Sequence, residues 1–321
     1  MNALVIPTIR EDCIEQFLEA WDVEKDNWSA IIVIEDNPTK SFKLPDYCTH
    51  YSWEEIEEEL GDDSWIISRR DSAIRSFGFY IAYTLGADTI YTLDDDCYPP
   101  DEQALNPSKC FINGHERAFT FHKKWTELVP GCRSRGMPYI NKGELDVSLN
   151  VGLWSGIPDL DSIQTLSGDK WGGLGSGRDA HRIIPQGQYF PMCGMNLAFK
   201  REMTPLMYFP LMGEDSPYRR FDDIWCGIVM KKVADQLGMN VSCGNPLVEH
   251  KRASDPFVNL VKEAPGIATN EHFWETIDQI DITDIHEPIR CMQQIGSELM
   301  ENSDTYLQKV GKAIGIWAGL F

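Results

Sequence analysis

The sequence predicts an α/β protein: a mostly parallel sheet flanked by helices, followed by a helical C-terminal tail. Three observations carry this. Apolar runs rich in β-branched residues recur as "ALVIPT" (3–8), "SAIIVIEDNP" (29–38) and "TIYTLDDD" (89–96). The stretches between them place apolar residues at helical spacing, and alternating β and α elements imply parallel strands with helices on both faces. Each run also ends in polar chemistry: Thr8-Ile9-Arg10, Glu35-Asp36-Asn37 and Asp94-Asp95-Asp96. Ligands of such sheets bind beyond the carboxyl ends of the strands.

The elements follow in order. Ala3 to Ile6 opens as a strand, and "EDCIEQFLEAW" brings Ile14, Phe17, Leu18 and Trp21 onto one helical face. The second run is nearly continuous, as a strand buried on both sides requires. "DSAIRSFGFYIAYTLG" reads as a helix capped by Asp71, with Ala73, Phe77, Ile81 and Leu85 four apart and Gly86 as its stop. From about 105 to 190 the pattern loosens, and "KWGGLGSGRDAHR" reads as a long flexible loop. Its glycines do not join a strand to a helix, so a dinucleotide site is not indicated. Strand and helix signals return at 190–260. A domain spanning 1–265 and a helical extension spanning 266–321 are expected, with "YLQKVGKAIGIWAGLF" packing on the domain or joining a homo-oligomer.

Composition narrows the function. The 321 residues are 42% hydrophobic and 25% charged, as in a soluble globular chain, and carry a net charge of −21. Such a surface repels nucleic acid and anionic membrane. No run approaches the roughly 18–20 apolar residues of a membrane span, and the start lacks a signal-peptide pattern. Nine singly scattered cysteines argue against a disulfide framework or a structural zinc site. A cytoplasmic location is expected.

The triplet Asp94-Asp95-Asp96 ends a buried strand in three like charges. Side chains alternate along a strand, so Asp94 and Asp96 point one way and Asp95 the other. Two carboxylates together form half of an oxygen site for Mn²⁺ or Mg²⁺, completed by water and phosphates, the D-x-D logic of nucleotide-sugar transferases. The bland alternative is a solvated acidic turn. Asp71 and Arg75 share a helical face; with Arg69 or Arg70 they could hold a nucleotide, or form a surface salt bridge. His250 in "NPLVEHKRASDP" is a third candidate metal ligand, or a structural histidine. Asp222 and Asp223 in "YRRFDDIWCG" either favour a helix N-terminus or face a sugar as hydroxyl partners or base.

With "VIPTIR", "DSAIRSFGF", "IYTLDDDC", "GLWSGIPDLD", "FPMCGMNLAF", "YFPLMGE", "RRFDDIWCG" and "HKRASDPFVNL" in this order, the chain resembles the reversibly glycosylated polypeptides, or UDP-arabinopyranose mutases. The resemblance runs from about residue 4 to 262. It implies a GT-A-like (nucleotide-diphospho-sugar transferase) fold, a Mn²⁺- or Mg²⁺-bound UDP-sugar, flavin-free interconversion of UDP-arabinopyranose and UDP-arabinofuranose, and self-glycosylation on an arginine. On "RGMPYINKGE" that arginine is Arg135. The family's second arginine falls on Lys142, which keeps the charge but loses the planar fork; the glycine-rich loop at 167–182 also departs. On this reading Asp94, Asp96 and His250 hold the metal, and Thr8, Arg10, Asp36, Arg69, Asp71, Arg75, Asp94 and Asp95 hold the nucleotide. Arg135, Lys142, Asp222 and Asp223 serve the chemistry. Two alternatives stay open: a transferase passing the sugar to an external acceptor, and a non-catalytic UDP-sugar-binding assembly subunit. A phosphatase is disfavoured because "LDDDC" lacks DxDxT spacing.

Overall fold

The computed structural model describes residues 1–100, 111–125, 135–140, 142–168, 181–245, 248–251 and 255–321. The expected loop at 170–182 lies, apart from its last two residues, outside these. The chain opens with β1 (Asn2–Thr8), α1 (Glu11–Ala20), β2 (Ala30–Glu35), β3 (Cys48–Tyr51) and α2 (Trp53–Leu60). Then come α3 (Arg75–Thr84), β4 (Thr89–Leu93), β5 (Cys97–Tyr98), α4 (Phe111–Phe121), β6 (Val147–Val151) and β7 (Trp154–Gly156). A short α5 (Ser162–Ser167), β8 (Arg182–Ile183), β9 (Asn196–Lys200), α6 (Asp222–Gln236), β10 (Asn240–Cys243) and β11 (Val248–His250) follow. The chain closes with α7 (Pro256–Asp278), α8 (Pro288–Met300) and α9 (Thr305–Ala318).

Among the described residues an eight-stranded sheet has the order β3-β2-β1-β4-β9-β6-β10-β8, beside a small sheet β5-β11-β7. The first four strands are mutually parallel, as the sequence predicts. β9 is inserted antiparallel between β4 and β6, so the sheet is mixed. The near-continuous apolar runs are explained by burial on both faces. Ala3, Val5, Ile32 and Ile34 join Phe77, Trp225, Ile295 and Trp317 from α3, α6, α8 and α9. The alternate positions Leu4, Ile6, Ile31 and Val33 join Phe17 of α1 and Phe111 and Phe119 of α4.

Two local features place the site. Gly78 lets α3 lie hard against β1: a Cβ there would come within 2.4 Å of Val5 Cγ1. The start of α3 is thereby held at the carboxyl edge of the sheet. On the opposite face, buried Glu24 accepts the Phe111 N–H at 2.6 Å, satisfying a helix-start donor of α4 with a carboxylate.

The tail packs on the chain's own core, the first of the two outcomes expected for it. The boundary at 265/266 falls inside α7, which runs unbroken past Pro265. The apolar face of α8 and α9 is spent on the chain's own core: Trp317 Nε1 donates to Pro205 O at 2.9 Å, and Tyr306 OH to Leu211 O at 2.7 Å. That face is therefore not the subunit-joining surface considered from the sequence. No helix among the described residues is long and apolar enough to cross a membrane.

A buried polar network ties α4 to the sheet. His115 is fully buried, with Nε2 3.0 Å from Asn196 Oδ1 and Nδ1 accepting from Asn150 Nδ2 at 3.0 Å. Ser242 Oγ donates to Asn150 Oδ1 at 2.7 Å. Burial lowers the His115 pKa to about 3, against a weaker opposing effect from the Asn196 bond. The unfolded chain takes up a proton near pH 6.5 that the folded chain refuses, so stability is lost as pH falls through this window. At pH 5 the expected cost is about 2 kcal/mol relative to pH 7. Urea denaturation checks it: His115→Gln should flatten the pH dependence, and an unchanged slope would contradict the assignment.

Candidate functional site

A cleft of about 340 Å³ opens at the carboxyl ends of β1, β2 and β4, where the strand-end chemistry converges. Its lining includes Thr8, Arg10, Asp36, Asp71, Arg75 and all three of Asp94, Asp95 and Asp96. His250 enters from β11, and Asp159, Arg220 and Lys262 from later segments.

The aspartates depart from simple alternation. β4 stops at Leu93, and Asp94 to Cys97 form a tight turn in which Cys97 N donates to Asp94 O at 3.1 Å. A turn has no two-sided pleat, so all three carboxylates line one cleft and each meets a different wall. Asp94 Oδ1 pairs with Arg75 Nη2. Buried Asp95 accepts from Thr8 Oγ1 at 2.6 Å and pairs with Arg10. Asp96 lies 3.8 Å from His250 Nε2 and 3.7 Å from Arg10 Nη2. Burial raises the Asp95 pKa, with Arg10 and Thr8 opposing.

His250 has the orientation of a ligand. Its Nδ1 sits 2.8 Å from the carbonyl oxygen of Ile157. A carbonyl only accepts, so Nδ1 carries a proton, and Nε2 is the ring nitrogen that faces Asp96. The donor set of two carboxylates and an imidazole fits Mn²⁺ or Mg²⁺. Among the described residues no three His, Cys, Asp or Glu side chains are yet gathered at metal distance. A site completed by substrate phosphates has few protein ligands of its own.

Arg75 lines the cleft and is also held by the fold. It is fully buried, and its donors go to Ser72 O at 3.1 Å, Thr92 Oγ1 at 3.2 Å, Gly194 O and Asp94. The expected partner Asp71, four residues before it, instead accepts from Ala73 N at 3.2 Å as an N-cap. The Asp71 backbone N–H donates to buried Asp36 at 2.9 Å, and Trp53 Nε1 donates to the other Asp36 oxygen at 2.7 Å. Asp36 is thus a wall of the cleft, its pKa raised by burial against these bonds.

Asp222 and Asp223 stand behind the cleft and are not among its lining residues. Asp222 accepts from Ser72 Oγ at 2.7 Å, and Asp223 from Gly194 N at 2.9 Å. Burial, then mutual repulsion, raises Asp71 well above the carboxylate range and Asp223 to about 8. Burial raises Asp222 too, against its Ser72 bond. Arg75 is a cation beside Asp222 and Asp223, and Arg220 also acts on Asp223.

Arg69 turns away: its Nη1 donates to Ile67 O at 2.8 Å, and Arg70 lines the cleft instead. The swap follows from Arg70's left-handed φ of 59°. It is reinforced by Gly213, whose φ of 93° lets it pass where a Cβ would sit 2.1 Å from Arg69 O. Arg135 is exposed and Lys142 half-buried, and neither lines the cleft. Their segment is pinned to the end of α4 by the Lys123–Glu144 ion pair at 2.7 Å and by Leu145 N donating to His122 O at 2.9 Å. Sequence reasoning passed over Asp159, Arg220 and Lys262. The only available signal was that Asp159 lies in "GLWSGIPDLD", Arg220 in "RRFDDIWCG" and Lys262 just beyond "HKRASDPFVNL".

The family model described as reversibly glycosylated polypeptide matches residues 2–321. A protein named probable UDP-arabinopyranose mutase 1 from Zea mays is 35% identical over 98% of this chain and 88% of its own length. UDP-arabinopyranose mutase 1 from Arabidopsis thaliana is 34% identical, with 98% and 90% covered. Among solved structures, the chain is similar to glucosyl-3-phosphoglycerate synthase from Mycobacterium tuberculosis in complex with phosphoglyceric acid (TM-score 0.42, 13% identity, 86% of this chain and 77% of that one). It is also similar to a mannosyltransferase from Pyrobaculum calidifontis in complex with GDP-Man and Mn²⁺ (TM-score 0.38, 14% identity, 99% and 81%). A family match over essentially the whole length, with relatives at about a third identity over the same span, has one consequence: the chain belongs to the reversibly glycosylated polypeptide family.

Proposed function

We propose that the protein is a metal-dependent UDP-sugar mutase that interconverts the pyranose and furanose forms of a UDP-pentose such as UDP-arabinose. The observation that carries this is the β4–β5 turn, whose aspartates line one cleft with His250 opposite Asp96. The names of the relatives support the reaction class.

Ring contraction breaks the bond between the anomeric carbon and the diphosphate and forms a bond from that carbon to the O4 hydroxyl oxygen, whose proton is given up. The old C1–O5 ring bond breaks as the UDP oxygen returns to the anomeric carbon and O5 takes up a proton. The residues that would hold Mn²⁺ or Mg²⁺ are Asp94, through the oxygen not used by Arg75, with Asp96 and His250. Such an ion, when bound, neutralises charge on a departing diphosphate. Thr8 and Arg10 fix Asp95 and so the turn, while Asp36 and Arg70 wall the nucleotide side. Holding sugar and UDP together makes their recombination effectively unimolecular. Asp71 lines the cleft and is placed to meet a sugar hydroxyl. Self-glycosylation belongs to the same proposal, with the exposed Arg135 guanidinium as acceptor.

Protein, MnCl₂ and UDP-arabinopyranose should yield UDP-arabinofuranose in a chromatographic assay, and chelation should abolish it. Free UDP accumulating only with an added acceptor would replace this reading by a transferase. Binding without turnover of any UDP-pentose would leave only a carrier.

A further inference from the structure

We infer that Arg220 is the cleft's diphosphate-recognising guanidinium and that Glu263 is the residue that positions it; this rests on the reading of the cleft as a UDP-sugar site. Three observations lead there. First, the other cleft arginines are committed. Arg75 spends its donors on Asp94 and backbone carbonyls, and Arg10 is paired with Asp95 and Asp96. Arg70 Nη1 donates to Asn37 Oδ1 at 3.0 Å, and its guanidinium lies over the Trp53 ring.

Second, Arg220 is held in the manner of an anion receptor. Its Nε donates to Glu263 Oε1 at 2.9 Å, and its two terminal Nη groups have no other bonded partner among the described residues. Glu263 is buried, and its second oxygen accepts from Ser162 N at 2.9 Å, so both of its oxygens are used. A guanidinium tethered through Nε to a fixed carboxylate keeps its planar fork free for a bidentate oxyanion. Lys262 lines the same part of the cleft and adds positive charge there.

Third, the backbone at Arg220 is strained. Arg70 and Arg220 are the non-glycine residues with positive φ among the described residues, and both line the cleft. Left-handed backbone in a bulky side chain persists where its surroundings enforce it, and it clusters at ligand sites. At 67° Arg220 adopts a conformation that glycine would accept without cost, so the side chain and not the backbone accounts for the residue.

The test is calorimetric titration of the full chain with UDP, UMP and uridine in MnCl₂. The double variant Arg220→Gly with Glu263→Gln removes the guanidinium together with the carboxylate charge it would otherwise leave buried. Glycine relieves the strain, and a thermal melt reports folding. UDP should bind the variant about ten- to a hundredfold more weakly, the worth of a charged hydrogen-bonded contact, while uridine affinity is unchanged. Glu263→Gln alone should show a smaller UDP loss, also without a uridine effect. Undiminished UDP affinity in the double variant would overturn the assignment, as would equal losses for all three ligands. Failure of the unaltered protein to bind UDP would instead overturn the functional reading on which it rests.

Discussion

Asp96→Ala is expected to abolish turnover of a UDP-sugar while leaving the fold intact, with kcat/KM falling by about a thousandfold or more. The size follows from the several kcal/mol that metal neutralisation of a leaving group contributes, at about 1.4 kcal/mol per tenfold. The selectivity follows from geometry. Asp96 lies 3.7 Å from Arg10 and 3.8 Å from His250, longer than the direct bonds that Asp95 makes with Thr8 and Arg10. Asp95→Ala should behave differently, because Asp95 is buried, bonded to Thr8 and paired with Arg10, so stability and activity fall together. Steady-state kinetics beside thermal melts of both variants separate the two effects. Wild-type turnover by Asp96→Ala would remove the metal role.

The second large effect is on stability. Arg75→Met should cost about 3–5 kcal/mol, because it removes a fully buried guanidinium and leaves the buried acceptors it serves unsatisfied, at about 1–3 kcal/mol for each. The loss exceeds the pair with Asp94. Gly194 O and Ser72 O lose their donor, and Asp222 and Asp223 lose a cation beside them. A melting temperature lower by roughly 10 °C is expected for a chain of this size. The deficit should be larger at pH 8 than at pH 6. Asp223 protonation adds stability that is complete below the unfolded-state pKa and is lost as pH rises through the folded value of about 8, and without Arg75 the ionised form loses one of the cations that favour it. Melting within about 2 °C of the unaltered protein would show that Arg75 is not the keystone of this corner of the fold.

Much of the sheet was legible because burial on both faces forces continuous apolar runs, and β1, β2 and β4 are such runs. The gathering of Thr8, Asp36 and the aspartates followed from one rule about strand ends. What escaped the sequence depends on long separations or on single dihedral angles. Arg75 looked like the partner of Asp71 one turn away, whereas its carboxylate is Asp94, 19 residues on, because the Arg75 side chain at the start of α3 reaches the end of β4. The Arg220–Glu263 pair spans 43 residues, and only the approach of α7 to the start of α6 creates it. Arg69 and Arg70 cannot be distinguished until the φ of 59° turns one of them in. Side alternation failed at Asp95 because β4 ends one residue before the triplet. The resemblance named the family but carried Arg135 and Lys142 into a sugar pocket whose described lining does not include them.

Crystals grown with UDP and Mn²⁺, measured at the manganese absorption edge, test the metal site most directly. An anomalous peak bonded to Asp94, Asp96 and His250 Nε2 and to the diphosphate oxygens is the predicted result. UDP lying elsewhere, or seated in the cleft with the manganese away from these three side chains, would contradict it.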